Sequence, residues 1–166
     1  MPRIDLKRIY THKWPSKCGF KEARQIMTSL IGNDVRAELL WDPLSWVVWS
    51  RWVSEGSRCP YCDFPILDLF DWRQMETEHI IPSKSFHPLN LTVACPRCNK
   101  LKLNWNPVTG QGYRRTDEIS EPQDEEMRKQ LLDRTKQYMN HKYRESYCNE
   151  NIYNQIVNSS AFILPL

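Results

Sequence analysis

The chain lacks any apolar run long enough to cross a membrane. A helical span needs about 20 predominantly apolar residues, and no such stretch occurs among the 166 residues. The first residues, MPRIDLKRIYTHKWP, are basic but have no apolar stretch after them, so no signal peptide is visible. Internal repeats and low-complexity tracts are missing as well. These absences favour a soluble, cytoplasmic protein, in which cysteines are more often reduced or metal-bound than paired in disulfides.

Acidic residues are missing from residues 97–115, and basic residues are missing from residues 117–126. The first range contains five lysines and arginines and the second contains six aspartates and glutamates, although the net charge of the chain is only +3. A block of cations favours a surface that faces a polyanion, and a block of acids is typical of a solvated face.

The length and composition fit one ordinary domain, or a small core with helical additions. Of the 166 residues, 40% are hydrophobic and 26% are charged, as in soluble globular proteins. We expect an N-terminal helical flank over residues 1–56, a motif-rich centre over 57–110 and a C-terminal helical extension over 111–166. Short extended segments in the centre, beside helices on both sides, predict an α+β fold.

Three helices are predicted in the flanks. One covers Lys21–Ile31 and is ended by Gly32, a second covers Leu44–Glu55 and is closed by Gly56, and a third runs over residues 124–144. The second helix carries apolar side chains at three- and four-residue spacing, which we interpret as a core face and not as a base-stacking surface. These side chains are Trp46, Trp49, Trp52 and Val53.

Four of the six cysteines form two Cys-x-x-Cys pairs, CPYC and CPRC, separated by 32 residues. Four thiolates are the number that a closed tetrahedral Zn²⁺ site takes, and such a site has a structural and not a chemical role. The alternative, a redox dithiol, is disfavoured because two pairs occur without a thioredoxin-like pattern. The predicted zinc ligands are Cys59, Cys62, Cys95 and Cys98. Cys18 and Cys148 stand alone and are interpreted as ordinary thiols.

Extended segments and a short helix are predicted around the second cysteine pair. QMETEHII is mixed and extended in character, and NLTVA is a β-branched run that leads into CPRCNKLK. Pro96 suits the first turn of a helix. The expected order is therefore strand, loop, strand and helix.

A passive zinc clip has no need of the polar residues that lie between and after the cysteines. These residues are Glu78-His79-Ile80-Ile81-Pro82, Asn90-Leu91 and Asn99. In this order and spacing, residues 59–102 resemble the HNH endonuclease family. The resemblance implies a ββα-metal core, in which a two-stranded hairpin and a helix surround a catalytic metal ion.

The resemblance also implies a role for each of four residues. His79 matches the family's general base, and Asn90 matches the asparagine that orients the loop and hence the histidine. Glu78 and Asn99 match the two ligands of one catalytic divalent cation, Mg²⁺ or Mn²⁺, although the family more often has aspartate or histidine at the position of Glu78. The implied reaction is hydrolysis of DNA phosphodiester bonds to give 5′-phosphate and 3′-hydroxyl ends.

Adjacent residues of a regular strand point to opposite faces, so Glu78 and His79 cannot both face one site in such a strand. The implied mechanism therefore requires the strand to end, twist or bulge near Pro82. His87, in the loop that follows, could be a second ligand or a phosphate contact, and we interpret it as a loop residue.

Arg97, Lys100 and Lys102 are expected on or beside the motif helix, where they could contact phosphates. Arg114 and Arg115 are weaker candidates. No segment resembles a base-reading module, so the sequence predicts no target specificity.

Two other functions stay open at this point. The first is an inactive zinc module that binds nucleic acid or a partner protein, which would keep the cysteines but have no need of His79. The second is an HNH nuclease that acts on RNA or on branched DNA. Compact HNH proteins that resemble this chain include nuclease subunits of bacterial anti-phage operons, which work beside an ATPase, and phage-encoded endonucleases, so an operon partner is an expectation.

Overall fold

The structure is a computed structural model, and it describes residues 5–15, 18–32, 42–82, 85–114 and 121–147. These ranges contain six α-helices, one 3-10 turn and four short strands. In chain order they are α1 (Leu6–Thr11), α2 (Phe20–Ile31), α3 (Pro43–Ser54), α4 (Leu69–Gln74), β1 (Glu76–His79), the 3-10 turn (Pro88–Asn90), β2 (Leu91–Ala94), α5 (Pro96–Lys102), β3 (Trp105–Asn106), β4 (Gln111–Gly112) and α6 (Glu125–Tyr147). The mixture of helices with two small sheets confirms the predicted α+β class. Cys148 and Arg115 lie outside the described residues.

The flanking helices begin and end where local chemistry favours it. Helix α3 starts after Asp42, whose side chain accepts hydrogen bonds from the backbone N–H groups of Leu44 and Ser45, both at 3.1 Å. Its first residue is Pro43, which has no N–H to satisfy. Gly56 follows the helix with φ of +99°, a conformation in which a side chain would be strained.

The prediction for the core face of α3 is only partly right. The apolar residues that α3 buries are Pro43, Leu44, Val47, Val48 and Trp52. Trp46 and Trp49 are half-buried, and Val53 is 54% exposed. Trp49 packs sideways against the ring of Trp72, with centroids 4.7 Å apart. The buried face is therefore centred on the two valines and Trp52, and Trp46 and Trp49 lie at its edges.

The centre of the chain has the predicted order of strand, loop, strand and helix. Strands β1 and β2 form an antiparallel pair in which Glu78 lies opposite Thr92 and His79 lies opposite Leu91. All four residues of β2 are buried, and this strand packs against β1 and α3. Helix α5 follows at once, with Pro96 in its first turn as predicted.

The long helix α6 closes the fold by packing on α5 and on the 3-10 turn. Leu131 and Met139 are buried on its inner side, and Leu131 joins Ile80 and Ile81 in a small cluster of its own. A second link is ionic, because Arg128 of α6 donates to Glu55 at 3.1 Å. No helix of the described ranges is long and apolar enough to span a membrane.

Candidate functional site

The four predicted zinc ligands come together at one point. The sulfur atoms of Cys59, Cys62, Cys95 and Cys98 all lie within 4.8 Å of one another, and those of Cys62 and Cys95 are 3.8 Å apart. Tetrahedral zinc with four thiolates has Zn–S bonds near 2.3 Å, which requires sulfur–sulfur distances of about 3.8 Å. The cluster therefore fits zinc in both its donor atoms and its size.

The first cysteine pair is shaped by a tight turn. The N–H of Asp63 donates to the carbonyl of Cys59 at 2.9 Å, and the N–H of Cys59 donates to the carbonyl of Phe64 at 3.0 Å. Asp63 has φ of +58°, in the left-handed region that aspartate tolerates better than most residues. This turn aims two sulfurs inward, and the first turn of α5 supplies the other two.

The charge of this cluster needs a cation. Hydrogen bonds that Cys62 accepts from the neighbouring thiols lower the pKa of Cys62, and hydrogen bonds that Cys98 donates raise the pKa of Cys98. All four groups can be thiolates together only when a metal ion balances them. The hydrogen bond of the Arg97 guanidinium to Cys62 raises the pKa of Arg97, which places this predicted phosphate contact beside the zinc cluster.

A second polar cluster lies where β1 faces α5. Glu76 and Glu78 share one face of the strand because side chains alternate along it. The Nδ2 of Asn99 donates to Oε2 of Glu76 at 2.6 Å, and the Nζ of Lys102 donates to Oε1 of Glu78 at 2.5 Å. Two carboxylates, one amide and one ammonium group thus meet on this face. The predicted ligands Glu78 and Asn99 both lie where β1 meets α5, each bonded to a different neighbour.

Burial governs the charges of the Glu78–Lys102 pair. The side chain of Lys102 is 0% exposed and that of Glu78 is 10% exposed. Desolvation raises the pKa of Glu78 and lowers the pKa of Lys102, and the attraction between the two groups opposes both shifts. Lys102, which was expected to contact phosphates, points inward in this structure and pairs with Glu78. Lys100, two residues earlier, is exposed.

His79 points away from Glu78, as alternation in a strand requires. Its ring packs edge-on against Phe86, with centroids 4.9 Å apart, and β1 ends at this residue. Nε2 is buried and has no hydrogen-bond partner among the described residues. Desolvation, with a smaller effect from Lys102, lowers the pKa of His79 to about 4, and a hydrogen bond to the Ser85 backbone acts in the opposite direction. The ring is therefore neutral near pH 7, with Nε2 as its unbonded nitrogen.

Asn90 fastens the segment that follows His79. Its Oδ1 accepts from the N–H of Ile81 at 2.8 Å, and its Nδ2 donates to the carbonyl of Ile81 at 3.1 Å. A longer bond of 3.5 Å runs from Nδ2 to the carbonyl of Ser85, the residue that the His79 ring also contacts. Asn90 is 0% exposed, so these bonds replace water that the loop backbone would otherwise need.

His87 is part of the scaffold. Its Nδ1 accepts from the N–H of Leu89 at 3.1 Å, which caps the 3-10 turn. The ring is buried and packs against Trp14 at a centroid distance of 5.5 Å. This placement agrees with the interpretation of His87 as a loop residue.

Sequence reasoning missed Glu76. The signal for it was present, because the alternating stretch Glu76-Thr77-Glu78 places both carboxylates on one face of a strand. The inward direction of Lys102 had no comparable signal in the sequence.

Residues 59–104 match the family model described as HNH endonuclease. The matched segment runs from the first cysteine of the zinc cluster through β1, β2 and α5. It therefore contains the four cysteines and the polar cluster where β1 faces α5. No curated protein and no solved structure matches this chain. The HNH pattern predicted from the cysteine, histidine and asparagine positions is thus confirmed for this segment.

Proposed function

We propose that the protein is a metal-dependent HNH endonuclease that hydrolyses phosphodiester bonds of DNA, with His79 as the general base. The observation that carries this proposal is the state of the His79 ring. It is held by Phe86 and the Ser85 backbone while Nε2 stays unbonded.

The His79 imidazole is neutral, as a general base must be before it accepts a proton from water. A pKa of about 4 keeps it neutral throughout the physiological range, so its lone pair is available. Asn90 is a positioning residue in this proposal. It holds the backbone of Ile81, two residues after His79, and the backbone of Ser85, which bonds the His79 ring.

The β1–α5 face has the chemistry of a site for Mg²⁺ or Mn²⁺. Such hard ions prefer carboxylate, amide and carbonyl oxygens, and this face offers the carboxylate of Glu78 and the amide of Asn99, with Glu76 beside them. A divalent ion bound there would supply charge stabilisation at the scissile phosphate and at the leaving oxygen. Glu78 and Asn99 would hold it.

The zinc cluster serves this site as a scaffold. Its four sulfur ligands leave no open position for water, and its last ligand, Cys98, directly precedes Asn99 in α5. Lys100 and Arg97 are exposed on the same helix and would meet the DNA backbone. The products would carry 5′-phosphate and 3′-hydroxyl ends, as the family resemblance implies.

One observation favours the second candidate, an inactive zinc module that binds nucleic acid or protein. Both proposed ligands of the catalytic ion already have protein partners, since Lys102 holds Glu78 and Glu76 holds Asn99. A module without catalysis would keep such pairs permanently.

Cleavage of supercoiled plasmid in Mg²⁺ or Mn²⁺ distinguishes the two candidates. The zinc-loaded protein is compared with His79→Ala and with His12→Ala, a control that removes an exposed histidine from the N-terminal flank. Loss of a general base should lower the rate roughly a hundredfold or more, and the control should cut like the parent.

Cutting that survives in His79→Ala would refute the role of His79. Failure of all three proteins on plasmid, single strands and RNA would favour the inactive module. Ligation of the products without prior kinase treatment would test for the 5′-phosphate ends.

A further inference from the structure

The ammonium group of Lys102 occupies a position built for a cation. Its side chain is 0% exposed, and its Nζ lies 2.5 Å from Oε1 of Glu78 and 2.8 Å from the carbonyl oxygen of His79. One carboxylate and one backbone carbonyl are oxygen donors of the kind that hard divalent ions also take.

The charge of Lys102 is compensated by its partners. A buried ammonium is destabilised unless it is paired and hydrogen-bonded, and Lys102 forms its ion pair with Glu78. The carboxylate of Glu78 in turn has a second inward partner, the backbone N–H of His79. Lys102 and Glu78 therefore neutralise each other where β1 meets α5.

A divalent ion on the same carboxylate would conflict with this pair. Metal–oxygen bonds of about 2.1 Å would place the ion about 4 Å from Nζ, and two cations at that distance repel strongly in a poorly solvated site. The ion and the ammonium group therefore compete for Glu78.

We propose that Lys102 is an internal counter-cation of the Glu78 site, and that a divalent metal ion must displace it from Glu78 in order to bind. This inference rests on the proposed function, in which Glu78 is a ligand of that ion. Lys102 compensates Glu78 while the ion is absent and weakens the binding of the ion by competition.

Lys100 provides the matched control. It lies on the same helix, carries the same charge and is exposed. A Lys→Met substitution at either position removes one positive charge and keeps an unbranched side chain. Only the substitution at Lys102 removes the group that competes at Glu78.

The first experiment measures Mn²⁺ binding to the zinc-loaded full chain by the electron paramagnetic resonance signal of free Mn²⁺. Lys102→Met should bind Mn²⁺ roughly tenfold or more tightly than Lys100→Met, because the ammonium group that competes for Glu78 is gone. Equal or weaker binding by a folded Lys102→Met protein would overturn the inference.

The second experiment needs no variant and so does not depend on the folding of Lys102→Met. The wild-type protein is reductively methylated with and without saturating Mg²⁺, and modification of Lys102 is followed by peptide mass spectrometry. Lys102 should be protected without Mg²⁺ and reactive with it. Protection under both conditions would contradict displacement.

Asn99→Ala separates failure of this inference from failure of the proposed function. If the wild type binds Mn²⁺ and Asn99→Ala weakens that binding, the metal site stands. Equal affinities of the two Lys→Met variants would then refute only the role of Lys102. Absence of Mn²⁺ binding in the wild type and in Lys102→Met alike would overturn both.

Discussion

Asn90 and Ile81 exchange two hydrogen bonds, one from the Ile81 N–H to Oδ1 at 2.8 Å and one from Nδ2 to the Ile81 carbonyl at 3.1 Å. The side-chain amide therefore acts as an additional backbone unit that continues the β1–β2 ladder past His79. It holds the chain in place at the point where the strand ends.

Replacement of Asn90 by alanine should destabilise the protein by roughly 2–3 kcal/mol, because two buried backbone groups of Ile81 lose their partners. Urea denaturation of the zinc-loaded protein measures this loss. Asn140→Ala, which truncates an exposed asparagine of α6, is the control and should change stability by less than about 0.5 kcal/mol. A similar small effect at Asn90 would mean that water replaces the amide in the loop.

Chelation of zinc should unfold the centre of the chain, because four clustered sulfurs cannot all stay ionised without a cation. Each of the substitutions Cys59→Ser, Cys62→Ser, Cys95→Ser and Cys98→Ser should lower the zinc content well below one ion per chain, measured by atomic emission. Cys18→Ala removes a buried thiol outside the cluster and should leave the zinc content unchanged. Full zinc content in two or more of the cluster variants would refute the four-sulfur site.

The free energy of unfolding should decrease as the pH falls through the range in which His79 titrates. The pKa of His79 is about 4 in the folded protein and 6.5 in its ordinary state, so the unfolded chain binds more protons between these values. The contribution of the neutral ring is complete above pH 6.5 and is lost as the pH falls towards 4. Between pH 7 and pH 5 the loss amounts to roughly 2 kcal/mol.

His79→Gln isolates this effect, because glutamine does not titrate while the other ionisable groups stay the same. The free energy of unfolding of the wild type should drop more steeply than that of His79→Gln over this range, as measured by urea denaturation at each pH. Parallel curves would mean that His79 is solvated and titrates normally.

The ionic link between α3 and α6 should also contribute to stability. Arg128 is 2% exposed and donates to Glu55 at 3.1 Å, while the side chain of Glu55 is 39% exposed and also bonds Arg51. Because Glu55 is partly solvated, the loss in Arg128→Met should be about 2 kcal/mol, below the range for fully buried pairs. Lys129→Met, at the exposed neighbouring position, should be nearly neutral in the same urea titration. Equal effects would show that the pair is screened by solvent.

The zinc cluster and the order of elements could be predicted because their signals are local. A Cys-x-x-Cys turn places two sulfurs together whatever surrounds it, and Pro96 and Gly56 mark helix ends through their own backbone preferences. These features depend on a few residues that are neighbours along the chain, so they can be predicted from the sequence alone.

The buried face of α3 and the pairing at the β1–α5 face could not be predicted in the same way. In PLSWVVWSRWVS apolar residues lie on nearly every side of the helix, so periodicity does not select one face. Alternation places Glu76 and Glu78 together, but their partners depend on how α5 is docked against the strand. That docking angle is set by tertiary packing, and it turns Lys102 inward while Lys100 stays outside.

Helix α5 constrains the length of the chain between the sulfur cluster and the polar face of β1. The same seven residues contain a zinc ligand, Asn99 and Lys102, and each residue added to an α-helix rotates everything after it by about 100°. An insertion or deletion between Asn99 and Lys102 would turn the ammonium group away from the carboxylate of Glu78, and an insertion between Cys98 and Asn99 would turn the amide away as well, without disturbing the sulfur cluster. The spacing of this segment should therefore tolerate no change in length, even where the individual side chains can be exchanged.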